Sequence, residues 1–454
     1  MNYKRTTPEN AREAALQALL RYETDNAYLN LALPPLLKKL SSEDRALAVQ
    51  LSAGTVQRLN TLDWSLSLHL KKDLNGLPPP IRNILRLGLY QLFYLQRIPG
   101  YAVVDQAVRL AKRYGHRGTA GLVNALLRKL AGQFDYLPWP DCEKQPVEYL
   151  ALKESFPPWI AKRAFDSFGL PEAANWCAAN NRKPKLSVRP NRLKTNPAKL
   201  AEKLKREGFS LLDNSRPVPG LLYLEAGQNL ASSEAFREGL FTIQGGSSAL
   251  VAPLLEPCPG NTIVDLCSAP GGKTTHLAEM IEDRGMIYAV EVNSKRLELV
   301  RKAAKRLGLK SIIPLQGDGR DIYKSNLKTP QAILVDAPCS GIGVIRRLPE
   351  IKWRRQEGEL AGLQKKQLEL LNAAARLLPT GGKLLYSVCT TMREETSEVV
   401  EAFSASNCTF ALQNILPQLP LELQKNQDQE KGAYLYPHRH ELDGFFIALW
   451  HKKV

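Results

Sequence analysis

The strongest constraint in this sequence is an alternation of short apolar runs and helical segments that begins near Ser247. Helical patterns at 275–281 and 294–307 separate several of the runs. Such alternation predicts a parallel sheet with helices on both faces. Ligands of these sheets bind at the carboxyl ends of the strands, so the residues after each strand form the candidate site. The runs with the length and composition of buried strands are 263–266, 286–290, 312–315, 332–335 and 382–387.

Two further regions precede this one. Residues 8–130 place apolar residues at helical spacing between breaks rich in Gly and Pro, for example at 12–21, 42–58, 81–96 and 103–114, which predicts an all-helical bundle. Between 151 and 240, a lysine-rich helix at 197–207 lies among short strand patterns at 185–189, 220–224 and 240–244, which predicts a small basic α+β module. We therefore expect a multidomain chain divided at 1–140, 141–240 and 241–454.

The charge of the chain favours a polyanionic partner. Its 454 residues include 62 Lys and Arg against 45 Asp and Glu, a net charge of +17. The net charge is +7 over residues 1–150 and +6 over 151–240, so most of the excess lies outside the α/β region. Nucleic acid is the simplest such partner, although solubility alone would also explain the excess.

Cysteine usage and hydropathy indicate the compartment. The seven cysteines are widely spaced and form neither a CxxC pair nor a Cys/His cluster, which argues against a disulfide scaffold and a zinc site. No apolar stretch approaches 18 residues, and residues 1–10 lack the apolar core of a secretory signal. We expect a cytoplasmic protein with no metal ion and no membrane segment.

A glycine-rich turn follows the first predicted strand. Residues 265–273 have the sequence Asp-Leu-Cys-Ser-Ala-Pro-Gly-Gly-Lys, and a helix follows, so a ligand can approach backbone N–H groups there. A Walker A loop would need Gly where Cys267 stands, and the turn does not fit GxGxxG either. Nucleoside triphosphate and NAD binding are both disfavoured.

Acidic residues follow the next two strands. Glu291 ends the second strand 19 residues after Gly272, where an acid can accept both ribose hydroxyls of an adenosine. Asp318 follows the third strand, where its carboxylate could accept from an adenine amino group. Either acid alone would be an ordinary cap or loop residue. Together with the turn they suit an adenosyl ligand without a polyphosphate, and S-adenosyl-L-methionine is the best candidate.

Two cysteines follow neighbouring strands of the same sheet. Asp336 and Cys339 come after the fourth strand and Cys389 after the fifth, although a single strand-end cysteine is usually inert. Cytosine C5 is a poor nucleophile, and adding a thiolate to C6 activates it toward a methyl donor. A group near N3 must then carry charge, and a base must remove the C5 proton before the thiol leaves. One carboxyl and two thiols are the groups that such a pathway needs.

Several motifs closely resemble those of the RNA cytosine-5 methyltransferases of the Sun/Nop2 family: Ser-Ala-Pro-Gly-Gly-Lys at 268–273, Asp-Ala-Pro-Cys-Ser-Gly at 336–341, Ile-Arg-Arg-Leu-Pro-Glu-Ile-Lys-Trp at 345–353, Tyr-Ser-Val-Cys-Thr at 386–390 and Asp-Gly-Phe-Phe at 443–446. Residues 84–92, 103–108 and 123–128 are similar to the NusB-type RNA-binding helical domain. The combination resembles bacterial enzymes that methylate 16S ribosomal RNA. It implies a Rossmann-like S-adenosylmethionine-dependent methyltransferase domain after a NusB-like bundle.

The resemblance also implies roles for the catalytic residues. Cys389 would be the nucleophile, and Cys339 would assist release of the methylated product. Asp336 would contact cytosine around N3 and N4, beside the methyl donor. In the DNA cytosine-5 enzymes the cysteine after Pro attacks instead, so the sequence leaves the two cysteine roles exchangeable.

The resemblance implies binding residues as well. Arg346, Arg347 and Lys352 would meet RNA phosphates, although a solvated basic loop is the simpler explanation. The chain departs from the family at Glu291 and at Gly245, since Asp is usual at the first position and frequent at the second. The residues expected to hold S-adenosylmethionine are Cys267, Ser268, Ala269, Pro270, Gly271, Gly272, Lys273, Glu291, Asp318 and Asp336.

Three alternatives stay open. The catalytic motifs would serve transfer RNA equally well, and only the NusB-like region favours ribosomal RNA. A non-catalytic RNA-binding assembly factor could retain the fold, although the intact Cys339, Cys389 and Asp336 argue against it. A DNA methyltransferase is the third. We expect a monomer that acts on a single-stranded or splayed cytosine, because a stacked base hides C6 from a thiolate.

Overall fold

The computed structural model describes residues 7–71, 73–212, 218–225, 229–425 and 432–453. These residues form two compact units. The first contains the chain up to Asn181 together with Leu348–Arg354, and the second contains Arg182–Arg347 and the chain from Arg355 onward. The domain boundaries after residues 140 and 240 remain predictions beside this division.

The first unit is helical, as the sequence predicts. Asn10 and Ser41 cap the first and fourth helices by accepting hydrogen bonds from the backbone N–H groups of Glu13 and Asp44. The tenth helix is interrupted at Gly169, whose φ is 70°. The helices are α1 (Ala11–Thr24), α2 (Leu29–Ala32), α3 (Pro34–Leu37), α4 (Ser42–Gln57), α5 (Leu59–Ser67), α6 (Pro79–Tyr94), α7 (Gly100–Tyr114), α8 (Arg117–Leu130), α9 (Pro146–Lys153) and α10 (Pro158–Asn180).

The core of this unit is built from the apolar stripes of its helices. In α7, Val104, Ala107 and Ala111 are buried while Arg109 and Lys112 are exposed, which is the pattern expected of an amphipathic helix. Burial of such stripes stabilises a bundle more than helix propensity does. The leucines that the core encloses completely include Leu16, Leu51, Leu62, Leu85 and Leu127.

The second unit begins with a small antiparallel sheet. Its strands are β1 (Leu186–Pro190), β2 (Leu222–Leu224) and β3 (Phe241–Ile243), in the order β2-β1-β3. The helix α11 (Pro197–Arg206) contributes Leu200 and Leu204 to the same core as Val188 and Phe241. The sequence therefore predicts both the strands and the helix of this module.

The large sheet contains the predicted parallel strands and three that were not predicted. The strands β4 (Thr262–Leu266), β5 (Met286–Glu291), β6 (Ile312–Gln316), β7 (Ala332–Asp336) and β8 (Lys383–Val388) are parallel neighbours in the order β8-β7-β4-β5-β6. From β4 the chain first adds strands on one side, β5 and β6, and then on the other side, β7 and β8. A crevice forms where the strand order changes direction in this way. The strand β11 (Phe445–Lys452) pairs antiparallel with β8. It also pairs antiparallel with two short strands, β9 (Phe410–Leu412) and β10 (Ala433–Leu435).

Helices cover the large sheet. Its two buried layers include Leu277 and Val300 in one cluster and Leu371 and Phe403 in the other. Within the described part of the chain, no helix is long and apolar enough to cross a membrane. The remaining helices are α12 (Glu234–Arg237), α13 (Gly246–Ala249), α14 (Val251–Leu254), α15 (Gly272–Met280), α16 (Ser294–Leu307), α17 (Ile351–Arg354, in the first unit), α18 (Leu360–Leu377), α19 (Ser397–Ser406) and α20 (Pro437–His440).

Candidate active site at the carboxyl ends of the strands

A cavity of about 500 Å³ lies at the carboxyl ends of the parallel strands. It is lined by residues that follow every one of them, because the parallel direction brings all five strand ends to one edge. Ser268, Pro270, Gly271 and Gly272 belong to the adjoining turn but do not line the cavity. The predicted site residues that do line it are Cys267, Ala269, Lys273, Glu291, Asp318, Asp336, Cys339 and Cys389.

The glycine-rich turn joins β4 to α15. The N–H of Gly271 donates to the Ser268 carbonyl (2.8 Å), and Gly271 has a φ of 103°, a conformation that favours glycine. A Cβ at Gly271 would also lie 3.2 Å from the Cα of Val300. Burial raises the pKa of the Cys267 thiol to about 12, so this cysteine stays protonated at neutral pH.

A buried carboxyl group joins the strand before this turn to the helix after it. Asp265 on β4 is fully enclosed, and its Oδ2 accepts a hydrogen bond from the Thr274 hydroxyl of α15 (2.6 Å). Burial raises the pKa of Asp265 to about 7. Asp265 opens the motif that contains the turn, but this supporting role is not among the predictions from the sequence.

The two cysteines of the neighbouring loops are in contact. The Sγ atoms of Cys339, after β7, and Cys389, after β8, lie 3.3 Å apart. The hydrogen bond with Cys389, followed by burial, raises the pKa of Cys339 well above its ordinary value. Both side chains are half-buried against the sheet and reach the cavity.

Asp336 is held by two donors at the end of β7. Lys273 Nζ lies 2.7 Å from Asp336 Oδ2, and the Ser387 hydroxyl donates to Oδ1 (2.8 Å). Lys273 therefore faces the carboxylate beside the cysteines, and it also lies over the Phe445 ring at 5.2 Å. One edge of the cavity thus brings together two thiols, a carboxylate and an ammonium group.

Comparison with known proteins places this site in a family. Residues 252–451 match the 16S rRNA methyltransferase RsmB/F family, 9–132 the NusB family, and 156–230 the ferredoxin-like domain of RsmF/B-like methyltransferases. The chain is also 35% identical over 452 residues to the probable ribosomal RNA small subunit methyltransferase B of Bacillus subtilis (strain 168). That similarity covers 98% of this chain and 99% of the relative. The chain belongs to the 16S rRNA methyltransferase RsmB/F family.

Other relatives agree with this membership. The ribosomal RNA small subunit methyltransferase B of Escherichia coli (strain UTI89 / UPEC) is 33% identical, and the similarity covers 98% of this chain and 99% of that protein. The crystal structure of PH0851 superposes with a TM-score of 0.81 at 28% identity, over 99% of this chain and 100% of that one. NSun6 from Pyrococcus horikoshii with SFG gives a TM-score of 0.59 at 25% identity, over 66% and 99%. The predicted α, α+β and α/β regions are thus confirmed as those of the RsmB/F architecture.

The cofactor that membership of the RsmB/F family indicates is S-adenosyl-L-methionine, and Glu291 fits it. Glu291 is only 3% exposed, and its Oε1 accepts from the Asn293 N–H (3.0 Å). Its Oε2 has no hydrogen bond to the described residues, although Arg296 Nη1 lies 3.4 Å away. A buried carboxylate oxygen of this kind needs a donor, and ribose hydroxyls would supply it.

The other end of the cavity contains residues that sequence analysis missed. Arg320 binds the Asp318 carboxylate through Nη2 (2.6 Å) and lowers the pKa of that carboxyl. Arg320 also reaches Glu369 (3.1 Å). Val292, 64% exposed, lines the cavity directly after Glu291 and gives it an apolar side chain. In the sequence, Val292 could have been recognised as an apolar residue that directly follows the acidic residue at the end of a strand.

Arg346 and Arg347 share one carboxylate. Arg346 Nε lies 2.6 Å and Arg347 Nε 2.7 Å from the two carboxylate oxygens of Asp443, which is buried. The Asp-Gly-Phe-Phe motif therefore supplies the anion that orients both arginines. The Arg347 side chain remains 30% exposed, whereas Arg346 is 9% exposed.

Lys352 is in a different environment from the one predicted. It is 1% exposed and lies in the first unit, where its Nζ donates to the Ser155 carbonyl (2.6 Å) and lies 4.1 Å from the centre of the Phe156 ring. Burial lowers its pKa well below the ordinary value for lysine. The prediction that Lys352 meets an RNA phosphate is therefore wrong for this structure, because its ammonium group is enclosed by protein.

Proposed function

We propose that this chain methylates C5 of a cytosine in 16S ribosomal RNA, with S-adenosylmethionine as methyl donor. The observation that carries the proposal is the 3.3 Å contact between the Cys339 and Cys389 sulfur atoms at the wall of the cofactor cavity. Two thiols beside a carboxylate are the groups required to add a thiolate to C6 and later eliminate it.

Cys389 is the nucleophile in this proposal. Its thiolate forms a bond to C6, and the C5–C6 electron pair becomes available at C5. The assignment follows the resemblance of the Tyr-Ser-Val-Cys motif, and the Cys339 Sγ lies 3.3 Å away as the second sulfur of the pair. S-adenosylmethionine, when bound, supplies an electrophilic methyl group.

Asp336 and Lys273 act at the polar edge of the base. Charge builds on N3 as the thiolate adds to C6, and a protonated or cationic partner stabilises it. Asp336 is oriented by Lys273 and by Ser387, so its carboxyl group, when protonated, can donate to N3 and can accept from the N4 amino group. Glu291, Asp318 and residues 267–273 would hold the cofactor on the other side.

The assignment of ribosomal RNA as substrate is supported by the first 240 residues. They carry 13 of the 17 excess positive charges and include the NusB match. The exposed part of Arg347 would meet a phosphate beside the target base. We further propose a monomer that acts in the cytoplasm on an unstacked cytosine.

Single alanine variants of the two cysteines test the proposal. Cys389→Ala should abolish turnover and any covalent complex with RNA. Cys339→Ala should still add to C6 but fail at release, so the complex should accumulate on a denaturing gel. If Cys339→Ala lost the complex and Cys389→Ala retained it, the two roles would be exchanged. If neither variant nor the wild type formed a complex, the covalent pathway would be wrong.

A further inference from the structure

We infer that Glu395 and Gln367 are positioning residues that hold the Cys339 loop against the Cys389 loop, so that Cys339 can assist product release. The inference rests on the proposed function, because it concerns the step assigned to Cys339. Neither side chain lines the cofactor cavity, and both are completely buried.

The pair binds the backbone on both sides of Cys339. Glu395 Oε1 accepts from the Ser340 N–H (2.7 Å), directly after the cysteine. Gln367 Nε2 donates to the Pro338 carbonyl (3.0 Å), directly before it, and also to Glu395 Oε1 (3.0 Å). Since Gln367 belongs to α18, a long helix packed on the sheet fixes this loop.

The main chain of Glu395 and the Cys339 loop are in turn joined to β8 and to the Cys389 loop. The Tyr386 hydroxyl on β8 donates to the Glu395 carbonyl (2.8 Å). Thr390, directly after Cys389, shares a hydrogen bond of 3.0 Å with the Ser340 hydroxyl. The residues next to the two cysteines are therefore joined to each other and to Glu395, which sets the separation of the two sulfur atoms.

Burying a carboxyl group here is costly, which argues for a role beyond packing. Glu395 Oε2 has no hydrogen bond to the described residues, and burial raises the pKa of the group. An apolar side chain would avoid this cost but could not accept from the Ser340 N–H. Glu395 also contributes to the raised pKa of Cys339, after the hydrogen bond with Cys389 and burial.

Release requires the two sulfur atoms to stay together. The C5 proton passes to solvent water, the C5–H electron pair forms the C5=C6 bond, and the C6–S bond breaks with its electrons on Cys389 Sγ. The Cys339 thiol, held at 3.3 Å, can donate its S–H hydrogen bond to that departing sulfur. A loosened Cys339 loop would remove this donor without touching the attacking thiolate.

Full-length variants test the pair. Glu395→Ala and Gln367→Leu should lower turnover about tenfold or more and accumulate the covalent RNA complex, as Cys339→Ala does. Glu395→Gln retains the acceptor for Ser340 and should restore most of the turnover. The matched control is Glu398→Ala, which removes a carboxylate that also accepts from a glutamine of α18, Gln364 (3.2 Å), and should leave turnover and the complex unchanged. The affinity for S-adenosylmethionine should be unchanged in all of them.

The outcomes separate this inference from the proposed function. The inference requires Glu395→Ala or Gln367→Leu to reproduce the phenotype of Cys339→Ala, whatever that phenotype is. Variants that lose cofactor binding, complex and turnover together would show a structural role only and overturn the inference, as would variants that behave like Glu398→Ala. If Cys339→Ala itself accumulated no complex, the proposed cysteine roles would be wrong. The positioning role of Glu395 and Gln367 would still be tested by whether their variants have the same phenotype as Cys339→Ala.

Discussion

At the scale of single residues, the position of a residue at the end of a strand predicted its place in the cavity better than its residue type did. Glu291 and Asp336 were predicted from strand ends, and both line the cavity because the strand direction fixes where the following residue lies. Lys352 was predicted from its place in the basic cluster of the 345–353 motif and from the resemblance of that motif. Its partners, Ser155 and Phe156, lie about 200 positions earlier, and no local pattern connects them to it. Local sequence patterns do not predict contacts between segments that are far apart in the sequence.

The buried carboxylate of Glu291 gives the first prediction. Glu291→Ala should weaken S-adenosylmethionine binding by about 1.5–3 kcal/mol, because a charged acceptor of two hydroxyls is lost. Glu291→Asp, the residue usual in the family, should retain most of the affinity. Titration calorimetry with purified protein measures both. Equal affinity of Glu291→Ala and wild type would remove Glu291 from the cofactor site.

At the scale of elements, the strands and helices that bear the site were predictable and the final strands were not. The predicted helix 294–307 matches α16 at both ends, since Asn293 caps its start and Gly308 follows its end. The missed strand β11 is an unbroken apolar run over its first six residues, which periodicity alone does not distinguish from a buried helical segment. The missed strands β9 and β10 have three residues each. They exist because β11 pairs with them.

The turn before α15 gives the second prediction. Gly271→Ala should lower S-adenosylmethionine affinity about tenfold or more, because a methyl group at a φ of 103° would also press on the backbone of Val300. Gly260→Ala is the matched control, since Gly260 has a φ of 89° but open space around it. Gly260→Ala should lower stability by about 1–2 kcal/mol through its left-handed backbone alone and leave affinity unchanged. Identical losses of affinity in both variants would contradict a specific role for the turn.

At the scale of the whole molecule, a short segment from the second half of the sequence belongs to the first unit. Leu348–Arg354 follows the motif of Cys339 in sequence, yet its side chains bind the helical unit. Trp353 Nε1 donates to the Val56 carbonyl (2.6 Å), and Glu350 accepts from the Leu29 N–H (3.1 Å). The last residues of the Ile-Arg-Arg-Leu-Pro-Glu-Ile-Lys-Trp motif therefore help to stabilise the helical unit.

The buried Lys352 gives a prediction about pH. Its pKa is lower in the folded than in the unfolded chain, so the folded state binds fewer protons between the two values, and stability rises with pH across that interval. Lys352→Met should show a smaller rise in the free energy of unfolding between pH 7 and about pH 9.5. Urea unfolding at both values measures it, with the exposed Lys112→Met as control. Parallel pH dependence in Lys352→Met and wild type would contradict the burial of this amine.

The most direct measurement identifies the methylated nucleoside. The protein is incubated with labelled S-adenosylmethionine and unmodified 16S ribosomal RNA, and the RNA is digested and analysed by mass spectrometry. The account predicts 5-methylcytidine carrying the label, with none formed by Cys389→Ala. Label in transfer RNA alone would retain the site and change the substrate. Label in another nucleoside, or none in RNA or in an assembly particle, would contradict the account.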